Sequence, residues 1–376
     1  MSTTSTIVTN LVSIPTSTTA VYASSYGNPS DVLRVGRVSL PDLTTAAPGT
    51  VLVRMLAAPV NPSDINAIQG VYPIPLAFTG EKGIDVPGFE GVGQVVAIHS
   101  LSAANGLQLG DLVIPSGTVP GTWRHHLVLP AANLIPLKRA DDARALPISA
   151  LANLSVNPCT AFRMLQDFAP NMQPGDVVVQ NGGNSAVGQY VAQLGHLWGL
   201  RVISVVRDRP DFDVLAAKLK AQGAYEVVRP NELRRLVHAN KDSWGSRIHL
   251  ALNTVGGQSA TDLLRVLAVG GTLVTYGGMS KDPIAVPTAP LIFKDVRLRG
   301  FWMSEWKKRA DEREYRAMLD ELVGYVAESK IQAPEFQEVV VKQVEHLQAG
   351  EQEKIVGRLP QREVRSWARN SCLCFH

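Results

Sequence analysis

Two stretches carry residue types and spacings suited to binding chemistry. Gly182-Gly183-Asn184-Ser185-Ala186-Val187-Gly188 follows the run Val177-Val178-Val179 and precedes Val191 and Leu194. A β-branched run of this kind makes a strand covered on both faces. Val187, Val191 and Leu194 recur at helical spacing, so a helix follows the turn. The open N–H groups of its first turn converge on one spot and form an anion site. Gly183, Ser185 and Gly188 align with the G-x-G-x-x-G of a dinucleotide-binding unit, with Ser in the middle place. The Ser crowds an approaching pyrophosphate slightly and offers a hydroxyl donor in exchange. Glycine turns between strand and helix also serve structure alone, so the context decides.

The end of the second strand of such a unit meets the adenosine ribose, where a lone Asp or Glu suits NAD. Here the chain reads Val206-Arg207-Asp208-Arg209-Pro210. Two guanidinium groups bracket one carboxylate, and a 2′-phosphate takes charge-assisted, bidentate donors. The pattern favours NADPH over NADH. Asp208 holds a 2′-hydroxyl, orients one of the arginines or caps a turn. The plain alternative is a solvated arginine loop. A third stretch, Gly70-Val71-Tyr72-Pro73, sets a phenol on a constrained turn. By residue type alone Tyr72 is either a packing residue with a polar tip or a proton donor.

The elements that must position these groups follow from length and pattern. A chain of 376 residues suggests two domains and ample core. Hydrophobic residues make up 45% and charged residues 18%, as in an ordinary globular protein. No apolar run reaches the ~18 residues of a membrane-spanning helix, so no membrane insertion is expected. A net charge of +3 without a basic stripe argues against nucleic acid as a partner. Cys159, Cys372 and Cys374 make no disulfide framework, which points to a reducing compartment.

From Ala20 the chain reads as short strands punctuated by Gly and Pro, ending near Asn157-Pro158. That is a β-rich domain, a partly open barrel. Strands and helices then alternate over 158–300, an α/β doubly wound domain. Residues 304–329 read as one long charged helix, and 335–341 as a strand returning to the first domain. Residues 1–19 and 358–376 read as flexible tails.

Five motifs occur in order: Asn61-Pro62-Ser63-Asp64-Ile65-Asn66-Ala67-Ile68-Gln69-Gly70-Val71-Tyr72-Pro73, Val156-Asn157-Pro158-Cys159-Thr160-Ala161, Val205-Val206-Arg207-Asp208-Arg209-Pro210, Tyr276-Gly277-Gly278-Met279 and Gly300-Phe301-Trp302-Met303-Ser304. Together they resemble the medium-chain dehydrogenase/reductase superfamily. Within it they resemble the mitochondrial 2-enoyl thioester reductases, also called enoyl-[acyl-carrier-protein] reductases. The resemblance runs from about residue 21 to residue 354. It implies a Rossmann doubly wound domain at 158–300 and a GroES-like domain at 20–157 and 301–357.

It also implies Tyr72 as the acid of the reaction. NADPH contacts would come from Asn157 and from Asn184, Ser185, Ala186 and Val187. The ribose phosphate would meet Arg207, Asp208 and Arg209. Tyr276, Gly277, Gly278, Met279, Phe301, Trp302 and Met303 would line the nicotinamide side, and Lys354 would be a late cofactor contact. The substrate would be a trans-2-enoyl thioester on acyl carrier protein or CoA, reduced in fatty acid synthesis by a homodimer. The family works in mitochondria, yet no Lys or Arg occurs before Arg34, so no basic presequence is seen and the cytosol is the alternative. Rival readings are a quinone oxidoreductase, an enoyl reductase of a polyketide pathway and a non-catalytic NADPH-binding protein.

The same superfamily holds zinc alcohol dehydrogenases, whose metal needs Cys and a His in Gly-His-Glu. Here that triplet is Gly88-Phe89-Glu90, and three cysteines cannot make a four-cysteine site. His125 and His126 would point to opposite faces of a strand. No zinc is expected. The end of the chain departs from the family. Where relatives finish in a short apolar strand, Ile355-Val356 is followed by Gly357-Arg358-Leu359-Pro360 and a basic tail, and Pro360 cannot continue a central strand.

Overall fold

The computed structural model describes residues 7–78, 83–116, 121–137, 146–244, 247–343, 351–359 and 370–375. Its strands are β1 (Ile7–Thr9), β2 (Ser17–Ala23), β3 (Leu33–Ser39), β4 (Thr50–Val60), β5 (Val92–His99), β6 (Leu112–Pro115), β7 (His126–Pro130), β8 (Leu134–Pro136), β9 (Val177–Asn181), β10 (Arg201–Val205), β11 (Glu226–Val228), β12 (Ile248–Asn253), β13 (Thr272–Thr275), β14 (Arg297–Gly300), β15 (Phe336–Val341) and β16 (Asn370–Phe375). The chain divides into two compact units. One comprises Met1–Ser155, Asp311–Ala327 and Glu335–His376; the other comprises Val156–Ala310 and Glu328–Pro334.

The first unit is β-rich. Its main sheet runs β15-β16-β4-β5-β6-β8, with β1 on β5 and β7 on β4, while β2 and β3 pair by themselves. Register shifts in the β4–β5 pairing at Leu52/Val53 and Met55/Ala57 bend the sheet as bulges do. Its core gathers Val53, Met55, Val95, Ile98 and Trp123, all buried. The Trp123 ring nitrogen donates to the Pro59 carbonyl at 3.3 Å, so the core leaves that donor satisfied.

The second unit is a six-stranded sheet ordered β11-β10-β9-β12-β13-β14, with every pairing parallel. Counted from β9, that is the order 3-2-1-4-5-6 of a dinucleotide-binding sheet. Helices Ala186–Leu197, Phe212–Ala221 and Gly257–Val266 lie between successive strands. β9 is buried along its whole length, as a strand with neighbours on both edges and helical crossovers must be.

Three expectations need correction. The lead-in is not all loose: β1 pairs antiparallel with β5, and β2 begins at Ser17. The region 304–329 is two helices, Met303–Arg309 and Glu312–Ala327. Ala310 is extended between them, and Asp311 accepts from the Arg313 amide at 2.8 Å, so a new N-cap starts the second helix. The first unit takes up the chain again at this break, with Asp311. The end of the chain is not wholly a tail. Residues 351–358 are helical, and β16 comes later, parallel to β15 and antiparallel to β4. Cys372, Leu373 and Phe375 are buried there, because a strand with neighbours on both edges lies inside the sheet. The reading of Pro360 falls outside the described residues.

Leu373 has no exposed surface and belongs to the core of the first unit. Leu373→Ala should therefore lower stability by about 2–5 kcal/mol, seen as an earlier denaturant midpoint. An unchanged midpoint would return residues 370–375 to the status of a tail.

Candidate active site

The glycine turn forms where the sheet order reverses, at the end of β9. Gly182 adopts φ +61°, a left-handed conformation that favours glycine. A Cβ at Gly188 would lie 2.6 Å from the Gly182 carbonyl oxygen, and one at Gly183 would lie 2.5 Å from the Ser204 Cβ. The turn therefore needs glycine at both places. Ser185 caps the helix, its hydroxyl oxygen accepting from the Gly188 amide at 3.1 Å. Its hydroxyl also lies near the Tyr276 phenol. The Ala186 and Val187 amides have no acceptor among the described residues, as expected at a helix start.

Two asparagines lock the neighbouring strand ends. Asn181 donates to the Asn253 side-chain oxygen at 2.7 Å and accepts from the Thr254 amide at 2.8 Å. Asn253 accepts in turn from the Gly256 amide at 3.0 Å. Sequence reasoning missed both residues. Their signal is a buried amide closing each apolar run, Val177-Val178-Val179-Gln180-Asn181 and Leu250-Ala251-Leu252-Asn253.

Most expected cofactor residues stand on this unit, after the ends of parallel strands. Asn184, Ser185, Ala186 and Val187 follow β9, and Arg207, Asp208 and Arg209 follow β10. Tyr276, Gly277, Gly278 and Met279 follow β13; Phe301, Trp302 and Met303 follow β14. Asn157 opens the helix Asn157–Asp167 and is buried. Gly277 lies so close to Thr254 that a Cβ would be 2.4 Å from its hydroxyl, whereas Gly278 faces open space. The Tyr276 hydroxyl is buried without a hydrogen bond. It lies near the Ser185 and Thr254 hydroxyls, and burial pushes its pKa up to about 12. A tight glycine turn, two open amides and a buried phenol without a hydrogen bond fit a phosphate-bearing dinucleotide. Lys354 is not on this unit. It belongs to the first unit, exposed on the helix Glu351–Arg358.

The loop after β10 is laced by ion pairs. Arg209 makes a two-pronged pair with Asp211. The Asp208 carboxylate accepts from Nε of Arg229 at 2.8 Å, a residue just past β11. That contact holds the Asp208 carboxyl below the usual carboxylate range. The same carboxylate oxygen accepts from the Arg209 backbone amide at 3.1 Å, while neither flanking guanidinium pairs with it. Arg207 has no ion pair among the described residues.

Tyr72 is prepared by buried acids of the first unit. Helix Pro62–Ile68 opens with a capping box between Asn61 and Asp64. Asp64 accepts from the Asn61 amide at 2.7 Å and from the Phe89 amide at 3.0 Å. Glu90 is buried beside it, accepting from the Asn61 side chain at 2.7 Å and from Ser155 at 3.2 Å. The helix ends at Gly70, φ +75°, where a Cβ would lie 2.9 Å from the Tyr26 ring. Beyond this turn the half-buried Tyr72 ring packs at 5.5 Å, tilted 42°, against Phe89. So the residue whose backbone Asp64 holds also supports the phenol. Phe89 occupies the place of the zinc-ligand His, and among the described residues no cluster of three metal-ligating side chains occurs.

Two family models match the chain: the "alcohol dehydrogenase GroES-like domain" over residues 47–139 and the "zinc-binding dehydrogenase" over 186–323. The enoyl-[acyl-carrier-protein] reductase, mitochondrial, of Homo sapiens is 45% identical over 319 residues, covering 85% of this chain and 82% of its own. The solved complex of Etr1p with NADP and crotonyl-CoA superposes with a TM-score of 0.84 at 33% identity, covering 95% of this chain and 99% of that one. The Etr1p/Etr2p heterodimer of the mitochondrial 2-enoyl thioester reductase from Candida tropicalis matches with the same score, identity and coverage.

Burial of Asp64, chiefly, pushes its pKa from 3.8 to about 7. The folded state then binds this proton more tightly than the unfolded chain. The resulting stabilisation is full below pH 3.8 and is lost as pH rises through about 7. Asp64→Asn, which cannot ionise, should flatten that decline by up to about 1.4 kcal/mol per pH unit. Denaturation profiles that stay parallel to those of the unsubstituted protein would remove Asp64 as the titrating group.

Proposed function

The chain belongs to the family of mitochondrial enoyl-[acyl-carrier-protein] reductases, and from that premise we propose that it reduces trans-2-enoyl thioesters to saturated acyl thioesters in fatty acid synthesis. Bound NADPH supplies a hydride to the β carbon of the enoyl group. The electron pair of the double bond then builds negative charge on the thioester oxygen. A donor aimed at that oxygen stabilises the charge where water is excluded. Tyr72 is the donor we assign. A phenol, with an ordinary pKa of about 10, keeps its proton at neutral pH and can yield it in a transition state. In this assignment Tyr72 passes its proton to the α carbon and regains one from solvent.

The remaining residues act on the cofactor. The Ala186 and Val187 amides and the Ser185 hydroxyl would hold the pyrophosphate. Arg207 would meet the ribose phosphate. Phe301 and Tyr276 would bound the nicotinamide end. The phenol carries the reading because it is set by Gly70 and propped by Phe89, in a chain whose zinc-ligand place is filled by that same Phe89. On this ground the reaction proceeds without zinc.

We place the enzyme in mitochondria with its relatives, which import of the full chain into isolated organelles tests; failure to enter would favour the cytosol. A homodimer is proposed as well. β14 is an edge strand exposed along its length. Leu298 within it, and Leu291, Ile292 and Phe293 on the preceding helix Thr288–Lys294, expose large apolar side chains. An open edge with apolar neighbours invites pairing with a second copy.

Tyr72→Phe should lower turnover of crotonyl-CoA and of the crotonyl carrier protein by on the order of 10²-fold or more, with NADPH affinity kept. Near-normal turnover would dismiss the phenol as donor, and the ratio between the two substrates reports the preferred carrier. Phe293→Asp should convert a particle of two chains into one of a single chain in analytical ultracentrifugation. An unchanged mass would rule out this edge as the contact.

A further inference from the structure

In the second unit the strands lie in the order β11-β10-β9. The glycine turn follows β9, and Arg229 follows β11, so the two stand on opposite sides of the loop that leaves β10. The Val206 amide donates to the Val228 carbonyl at 2.9 Å, which brings Arg229 alongside that loop. The Arg229 guanidinium lies 3.8 Å above the centroid of the buried Phe212 ring. Its own amide donates to Glu232 at 2.9 Å. It also stands 3.7 Å from Asp213 and 3.6 Å from the Glu232 carboxylate. Ring, backbone and charges together fix the guanidinium in place.

Held this way, Arg229 draws the Asp208 carboxylate to the β11 side at 2.8 Å. That carboxylate stands at the place where an NAD-dependent unit keeps its 2′-hydroxyl acceptor. A carboxylate left facing the ribose would repel a 2′-phosphate dianion and accept from a 2′-hydroxyl. Arg209 is occupied by Asp211, so Arg207 is the loop arginine left to meet a phosphate.

We propose that Arg229 is the residue that sets nucleotide specificity, by drawing the Asp208 carboxylate away from the ribose subsite and leaving that subsite net positive. It acts through Asp208 as a positioning residue. The inference rests on the NADPH reading above and names a determinant outside the loop between Arg207 and Arg209.

The test is a fluorescence titration of the full chain with NADPH and with NADH, giving two dissociation constants per variant. The unsubstituted protein should bind NADPH more tightly. Arg229→Ala should shrink the ratio of the NADH to the NADPH constant by at least about tenfold. Arg229→Gln, which keeps side-chain bulk over Phe212, should do the same. Adding Asp208→Asn to Arg229→Ala should return the ratio to within about threefold of the original, because the released charge is then gone. An unchanged ratio in both single variants overturns the proposal. So does a shrunken ratio that Asp208→Asn fails to recover, since Arg229 would then act without Asp208. Equal binding of the two nucleotides by the unsubstituted protein would instead refute the NADPH reading.

Discussion

A backbone approach too close for any Cβ stands at the point where the strand order of the parallel sheet reverses. Gly188 rests against the Gly182 carbonyl, and Gly183 rests against Ser204. This contact lets the helix Ala186–Leu197 begin immediately after β9, with its first amides unspent. It also lets Ser185 cap the helix with its oxygen. The Asn181–Asn253 pair makes the geometry durable by tying the ends of β9 and β12 across the reversal. Those side chains satisfy backbone amides of the loop after β12, a region that parallel strands cannot satisfy by themselves. Most of the candidate cofactor residues follow the ends of β9, β10, β13 and β14.

The first unit solves its positioning problem with buried charge. Burying Asp64 and Glu90 side by side is costly, and the raised pKa of Asp64 records that cost. Backbone amides of Asn61 and Phe89 and the side chains of Asn61 and Ser155 offset part of it. In return, the start of helix Pro62–Ile68 and the backbone of Phe89 are tied to one carboxylate. Tyr72 leaves that helix through the Gly70 turn and leans on the Phe89 ring. A polar network, fully engaged, thus fixes an aromatic pair at its edge.

The surface charges of the second unit play a different part. Exposed pairs such as Arg229 with Asp208 add little to stability, since Asp208 remains largely in solvent. Their effect is directional. A guanidinium braced on the face of Phe212 decides which way a carboxylate points, and a charge that points elsewhere is absent from a nearby subsite. Arg suits this task because its planar fork stacks and donates at once.

Much of this molecule was legible locally. The run from Val177 to Val179, the turn through Gly188 and the stripe of Val187, Val191 and Leu194 dictate strand, turn and helix, because each depends on neighbours a few residues away. The alternation that follows implies a parallel sheet. Asn61, Asp64, Gly70 and Tyr72 could likewise be marked as one motif. Other features lay beyond any local reading. Cys372, Leu373 and Phe375 looked like the end of a tail, and become a central strand only because β4 and β15 supply its two edges. Asp208 and Arg229 are separated by most of a βαβ crossover and meet because β10 and β11 are adjacent. Phe89 looked like a missing ligand until its ring was found against Tyr72. Short-range pattern specifies an element and its buried face; the partners that element meets depend on strand order and side-chain direction, which exist only once the chain has folded.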